Sequence, residues 1–200
     1  MRISEALAAA ARNAGDLQRI PDALCAACVR LLPVSGASVA ISGGWGVSVT
    51  WCGTHMASVQ LVDCSDDTLW LESHCGFPAE FVHHFAVVDG TTSPRGHAAR
   101  RRQRIVVDDV ATAPLFDEPS RAVVLSADCR SCQCTPIPGP TGGPQGMVST
   151  HHAQPFHVYT LDELAALDTA VREAGAWLDR HRTATDRDAL EDLHASALRP

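Results

Sequence analysis

Arg130-Ser-Cys-Gln-Cys-Thr-Pro-Ile137, followed after a short connection by Met147-Val-Ser-Thr-His-His152, is the stretch on which the fold turns. Successive side chains of an extended strand point to opposite faces. Cys132, Cys134 and Pro136 therefore share one face, and Gln133 and Thr135 take the other. In the second segment Met147, Ser149 and His151 share a face, with His152 on the opposite side. Between them, Pro138 to Pro144 holds three Gly and three Pro, the composition of a tight connection. Strands joined so closely pair antiparallel. Two thiols and an imidazole on neighbouring strands then come within reach of each other.

Working outward, Thr160 to Arg182 has the apolar spacing of a long amphipathic helix, and Thr160 with Glu163 three residues on forms a capping box. Upstream, Ile105-Val-Val107 reads as a short buried strand. Helices are expected over 78–85, 97–102 and 120–128, and strands over 37–41, 47–51, 56–62 and 68–73. Ser4 to Leu32 reads as two helices split near Asp16. Few strand pairs are joined by the long helical crossover that a parallel sheet requires, so the class is α+β with an antiparallel sheet.

Composition bounds the function. The 200 residues suit one domain, and 46% hydrophobic with 20% charged residues is ordinary for a globular chain. No apolar run approaches the ~18 residues that span a bilayer, so no membrane association is expected. Glu5 sits where a signal peptide would need apolar residues, which makes the cytoplasm the expected location. A net charge of −7 argues against nucleic acid as a partner. All 16 basic residues are Arg, which fits the codon usage of a GC-rich genome. Eight Cys and ten His in a chain without an export signal point away from a disulfide framework, toward buried thiols, metal binding or redox chemistry.

Several motifs, in order, resemble the GAF domain family. Met56-Ala-Ser-Val-Gln-Leu-Val-Asp63 with Leu69-Trp-Leu-Glu-Ser-His-Cys-Gly-Phe-Pro-Ala-Glu-Phe81 is similar to the family's first hairpin. Ile105-Val-Val-Asp-Asp-Val110 followed by Ala113-Pro-Leu-Phe116, then Arg130 to Ile137, then Gly146-Met-Val-Ser-Thr-His151, resemble its later strands, and Leu161 to Leu178 its closing helix. The resemblance covers about Asp16 to Arg180. It implies a central antiparallel sheet with terminal helices on one face and a ligand pocket, closed by loops and short helices, on the other. It also implies a small-molecule sensor, with homodimerisation through the terminal helices common among members. A minority of members are enzymes, the free methionine-(R)-sulfoxide reductases, which use cysteines around the pocket. This sequence departs from the pattern in an inserted hairpin over 36–55, and in Cys132 and Cys134, where members often carry Val and Ser. The organisation expected is an N-terminal helical arm over 1–15, a GAF-like domain over 16–182 and a polar tail over 183–200.

If the family register holds, Cys132, Cys134, Ser149 and His151 line the pocket. Thiolate and imidazole are good ligands for zinc, iron or copper, so Cys132, Cys134, His151 and the preceding Cys129 form a candidate metal set. Cys132 and Cys134 are also the candidate catalytic thiols. The expectation is thus a sensor or regulatory module binding a small molecule or metal, with a metal- or thiol-dependent enzyme for redox or oxygen chemistry as the alternative. Against both stands plain core packing, since a free Cys is commonly a small buried hydrophobe. Cys25-x2-Cys28 lies on a helix with apolar neighbours and reads as core. His74-Cys75 with His83-His84, the trio His151, His152 and His157 flanking the final loop, and Cys52 with His55 are weaker clusters. Arg95, Arg100, Arg101, Arg102 and Arg104 read as a solvent-exposed helix–strand boundary, or as a rim that gathers a carboxylate or phosphate.

Overall fold

The computed structural model describes residues 36–39, 57–62, 68–75, 77–88 and 93–197. Seven strands make one sheet: β1 (Gly36–Val39), β2 (Ala57–Val62), β3 (Leu69–Cys75), β4 (Val87–Val88), β5 (Ile105–Val107), β6 (Ser131–Pro138) and β7 (Pro144–His152). Four described helices join them: α1 (Ala79–His84), α2 (Pro94–Arg101), α3 (Glu118–Ser126) and α4 (Leu161–Ala197). The order across the sheet is β4-β3-β2-β7-β6-β5, with β1 registered on β7 off this path. Every pairing is antiparallel, as the short connections require. The expected helices before residue 33, the Cys25–Cys28 pair, and Cys52 and His55 of the expected inserted hairpin lie outside the described residues.

Local chemistry sets the element ends. Ser93 caps α2 by accepting from the Gly96 N–H (3.3 Å), with Pro94 at the first helical position. Asp117 does the same for α3 through Ser120 (2.8 Å). The capping box forms at α4: Glu163 N–H donates to Thr160 Oγ1 (3.2 Å), and Thr160 N–H donates to the Glu163 carboxylate (2.7 Å). Two boundaries differ from the sequence reading. Helix α2 starts at Pro94, not His97, because the cap and the proline together open it a turn early. Helix α4 continues to Ala197, so much of the stretch expected as a loose polar tail is helix.

The loop between β5 and α3 is held by arginines. Arg121 Nη1 donates to the carbonyls of Val110 (2.7 Å), Ala111 (3.2 Å) and Ala113 (2.9 Å), and Nη2 donates to that of Phe116 (3.1 Å). Arg130 grips both carboxylate oxygens of Asp109 (3.1 and 3.2 Å).

The sheet divides the core in two. On one face α4 buries Leu167, Ala170, Val171, Ala174 and Leu178. On the other, α1, α2 and α3 bury Phe81, Ala98, Val123 and Val124. Each fully buried Leu or Phe contributes about 1.5–3 kcal/mol. The pairing of β6 with β7 sets the central register: Cys132 lies opposite His151, and Cys134 opposite Ser149. A bulge near Pro138 leaves Gln145 as an extra residue on β7. Its side-chain amide donates to the carbonyls of Pro138 (2.9 Å) and Gly175 (2.7 Å), tying the hairpin to α4.

Helix and sheet touch backbone to backbone at that point. A Cβ on Gly175 would stand 2.4 Å from the Pro138 carbonyl oxygen. Gly175→Ala is therefore expected to destabilise the protein by about 1–3 kcal/mol through overpacking, read as a lower urea midpoint with little change in slope. An unchanged midpoint would show that α4 docks more loosely than this contact requires.

Candidate functional site

The period-two reading of β6 and β7 holds on both faces. Cys132, Cys134, Ser149 and His151 are buried together on the face covered by α1 and α2. Ser131, Gln133, Thr150 and His152 lie on the α4 face. Register adds His74 to the first group: it pairs with Ser58 of β2, which pairs with Ser149.

Arg95 is the residue that the sequence reading misplaced. The sequence places it at a solvated boundary or on an anion-gathering rim, yet it is 3% exposed. With α2 opening at Pro94, Arg95 falls in the first turn, on the face it shares with Ala98 toward the sheet. The signal available in the sequence was Ser93-Pro94, a cap followed by a first-turn proline. Arg100 and Arg101 do face solvent, and Arg102 is exposed at the rim of an open cleft.

Arg95 reaches across the face covered by α1 and α2. Its Nε donates to Ser149 Oγ (3.3 Å) and its Nη2 lies 3.2 Å from His151 Nε2. The guanidinium carbon sits 4.7 Å from the Phe85 ring centre and 5.3 Å from that of Phe81, a cation–π arrangement that helps to hold a buried cation. Phe77 and Phe81 are stacked (3.7 Å, 5°) and meet the His151 ring edge-on at 5.1 and 5.8 Å.

The proton inventory follows. A guanidinium only donates, so His151 Nε2 must accept. Burial first, and then the Arg95 charge, push His151 well below the usual imidazole range, so the ring is neutral. Its proton then resides on Nδ1, which is buried and has no hydrogen-bond partner among the described residues.

The thiols are differentiated in the same way. The hydrogen bond from Cys132, the Arg95 charge and the Ser149 hydroxyl (Oγ donating to Sγ, 3.3 Å) outweigh burial and bring Cys134 down to about 7. The same hydrogen bond and burial raise Cys132 well above the usual thiol range. Burial pushes Cys129 up to about 12, and its thiol donates to the Ala127 carbonyl (3.6 Å). Cys134 is thus the polarised thiol, Cys132 its donor and Cys129 an inert neighbour.

The expected metal set does not assemble. Among the described residues no three His, Cys, Asp or Glu side chains are placed to hold a metal ion. The physical obstacle is Arg95, which takes the Nε2 lone pair of His151 and sets a positive charge where a second cation would have to sit. The weaker histidine clusters find partners of their own. His84 Nε2 pairs with Ser120 Oγ (3.0 Å) and His83 is exposed. On the α4 face His152 and His157 stack (3.6 Å, 12°) beside Tyr159, whose hydroxyl lies 3.2 Å from Thr150 Oγ1.

Two measurements test this electrostatic picture. Arg95→Met is expected to raise the Cys134 pKa above about 7, read as a later rise in thiolate absorbance during alkaline titration. A curve unchanged from the parent protein would remove Arg95 as the cause. For acid, His152 is held near 3 by burial and by His157, against an ordinary 6.5. The folded value is the lower one, so its stabilisation is present above 6.5 and lost as pH falls from 6.5 toward 3. His152→Phe keeps a ring in the stack without the titration, and is expected to move acid unfolding to lower pH.

Comparisons with known proteins agree with this architecture. A family model for the GAF domain matches residues 16–177. Among solved structures, the GAF domain of a phosphoenolpyruvate-protein phosphotransferase from Coxiella burnetii is 15% identical, with 93% of this chain and 98% of that one covered and a TM-score of 0.67. A domain of a two-component sensor histidine kinase protein from Sinorhizobium meliloti is 15% identical (88% and 99% covered, TM-score 0.65). Free methionine-R-sulfoxide reductase from Neisseria meningitidis, solved with its substrate, is also 15% identical (91% and 89% covered, TM-score 0.64). At such identities the likeness is one of fold. No curated protein sequence matches the chain at a significant level. No described helix is long and apolar enough to cross a membrane.

Proposed function

Because the chain belongs to the GAF domain family, a family of sensory and ligand-binding modules, we propose that it is a sensor module whose pocket face recognises a small anionic, oxygen-bearing molecule. The observation that carries this reading is the inward-turned Arg95 beside the unpartnered Nδ1–H of His151. One supplies a fixed positive charge in a desolvated setting; the other is a buried donor that lacks an acceptor among the described residues. A carboxylate or similar oxyanion would accept from the His151 Nδ1–H, with the Arg95 charge close by. Ser149 and Cys134 add two further polar atoms on the same face. The phenyl rings of Phe77 and Phe81 close over His151, so entry of a ligand displaces them from α1 and the segment before it.

The route out of the pocket is the strand pair itself. Cys132 and Cys134 face the ligand side while Gln133 and Thr135, between and beside them, face α4. A shift of β6 that accommodates a ligand is passed to that helix directly.

Thermal shift against a panel of small mono- and dicarboxylates is the test. A ligand that stabilises the parent protein is expected to lose at least about tenfold in affinity in Arg95→Met and in His151→Phe. Equal stabilisation in parent and both variants would sink the reading.

A second reading is favoured by one observation, the depressed Cys134 thiol beside Cys132. Two thiols reduce a sulfoxide by closing a disulfide, releasing the thioether and carrying the oxygen away as water. That chemistry requires free methionine-R-sulfoxide to be consumed with loss of two thiols per chain when no external reductant is present. Methionine-R-sulfoxide left intact would leave the sensor reading alone.

A further inference from the structure

The arginine run separates in three directions. Arg95 turns into the pocket face, Arg100 and Arg101 turn to solvent, and Arg102 and Arg104 turn to a cleft at the hairpin end of the sheet. Strand β5 begins at Ile105, opposite Cys134, so β6 runs on from Thr135 to Pro138 beyond its reach. The space there is about 310 Å³, between the β6–β7 hairpin and α4. Pro136, Pro138 and Val171 give it an apolar wall, and Arg102, Arg104 and Arg172 bring three guanidiniums to it.

Asp168 is the one carboxylate among the lining residues, and it is engaged. Arg104 binds it through Nη2 and donates from Nε to Thr135 Oγ1 (3.0 Å). That leaves an excess of two positive charges in a chain whose net charge is −7. Arg172 is exposed and donates to Thr169 Oγ1 (3.2 Å) on its own helix. Arg102 holds the left-handed conformation (φ 53°) that closes α2, one that a residue with a side chain adopts at a cost. In that position it lies against the hairpin tip: a Cβ on Gly142 would stand 3.9 Å from Arg102 Nη1. Gly143 beside it has open space where a side chain would project, so the backbone there is approachable.

From these features we infer that the cleft is a second ligand site, on the α4 side of the sheet, for a phosphorylated small molecule: a phosphate monoester or diphosphate. Guanidinium forks match phosphate oxygens two at a time, and two forks from different elements suit a dianion better than a single carboxylate. The proline wall takes the uncharged body of the ligand. The volume falls at the small end of the range for such sites, roughly 300–1,000 Å³. A bound dianion bridges Arg102 at the end of α2 to Arg172 on α4.

Calorimetric titration of the full chain with inorganic pyrophosphate tests the assignment. Saturable binding of one pyrophosphate per chain is expected, weakening as salt is raised. Arg172→Gln and Arg102→Gly are each expected to weaken it about tenfold or more, the scale of one lost charge-assisted contact. Glycine suits the backbone angle at 102, so that variant keeps the fold. Arg100→Gln, exposed on α2 but outside the cleft lining, is expected to leave pyrophosphate binding unchanged, which separates this site from general surface charge. Absence of saturable binding, an affinity unaltered in both cleft variants, or succinate bound as tightly as pyrophosphate would each overturn the assignment.

Discussion

A guanidinium withdrawn from water organises the face of the sheet that α1 and α2 cover. Arg95 stands at 3% exposure between the phenyl rings of Phe81 and Phe85 and the polar row of β7. A buried charge is costly unless its surroundings answer it with rings, hydrogen bonds or opposite charge. Here the answer dictates the state of each neighbour: His151 is neutral with its proton on Nδ1, Ser149 accepts from the cation and donates onward, and Cys134 gives up its proton more readily than an isolated thiol. The His151 tautomer follows from this placement, while the polarity of Cys134 comes first from the Cys132 hydrogen bond, with the Arg95 charge and the Ser149 hydroxyl adding to it.

That placement rests on the β6–β7 ladder. Because its register sets Cys132 against His151 and Cys134 against Ser149, the polar groups gather in two adjacent rows, while Thr150 and His152 are carried to the far side. A one-residue slip would exchange the two sets and present His152 and Thr150 to the pocket. The Gln145 bulge, pinned to Pro138 and Gly175, guards against such a slip.

The strand faces were legible in the sequence, since alternation needs only a period and a short connection. The capping box at Thr160 and Glu163 was equally legible, because it is local. What stayed hidden depended on contacts distant in sequence. Arg95 reads like its basic neighbours until α2 is seen to begin at Pro94 and to lie on the sheet. The metal expectation failed for the same reason: Cys132, Cys134 and His151 have suitable donor chemistry, but a cation supplied by a helix more than thirty residues upstream already holds the imidazole. The aromatic stack of Phe77 and Phe81 leaves no periodic mark either, because it joins a loop residue to a short helix. The continuation of α4 beyond Arg182 was obscured by a polar sequence that lacks an apolar stripe to announce it.

The contact of Gly175 with the Pro138 carbonyl works as a fulcrum. From there to Ala197 the helix projects ~33 Å at 1.5 Å per residue. A tilt of about 5° at the fulcrum swings the far end by ~3 Å over that length, enough to pull one side chain out of the notch it occupies on a neighbour. A small repacking against the sheet would be lengthened, by geometry alone, toward the end of the helix.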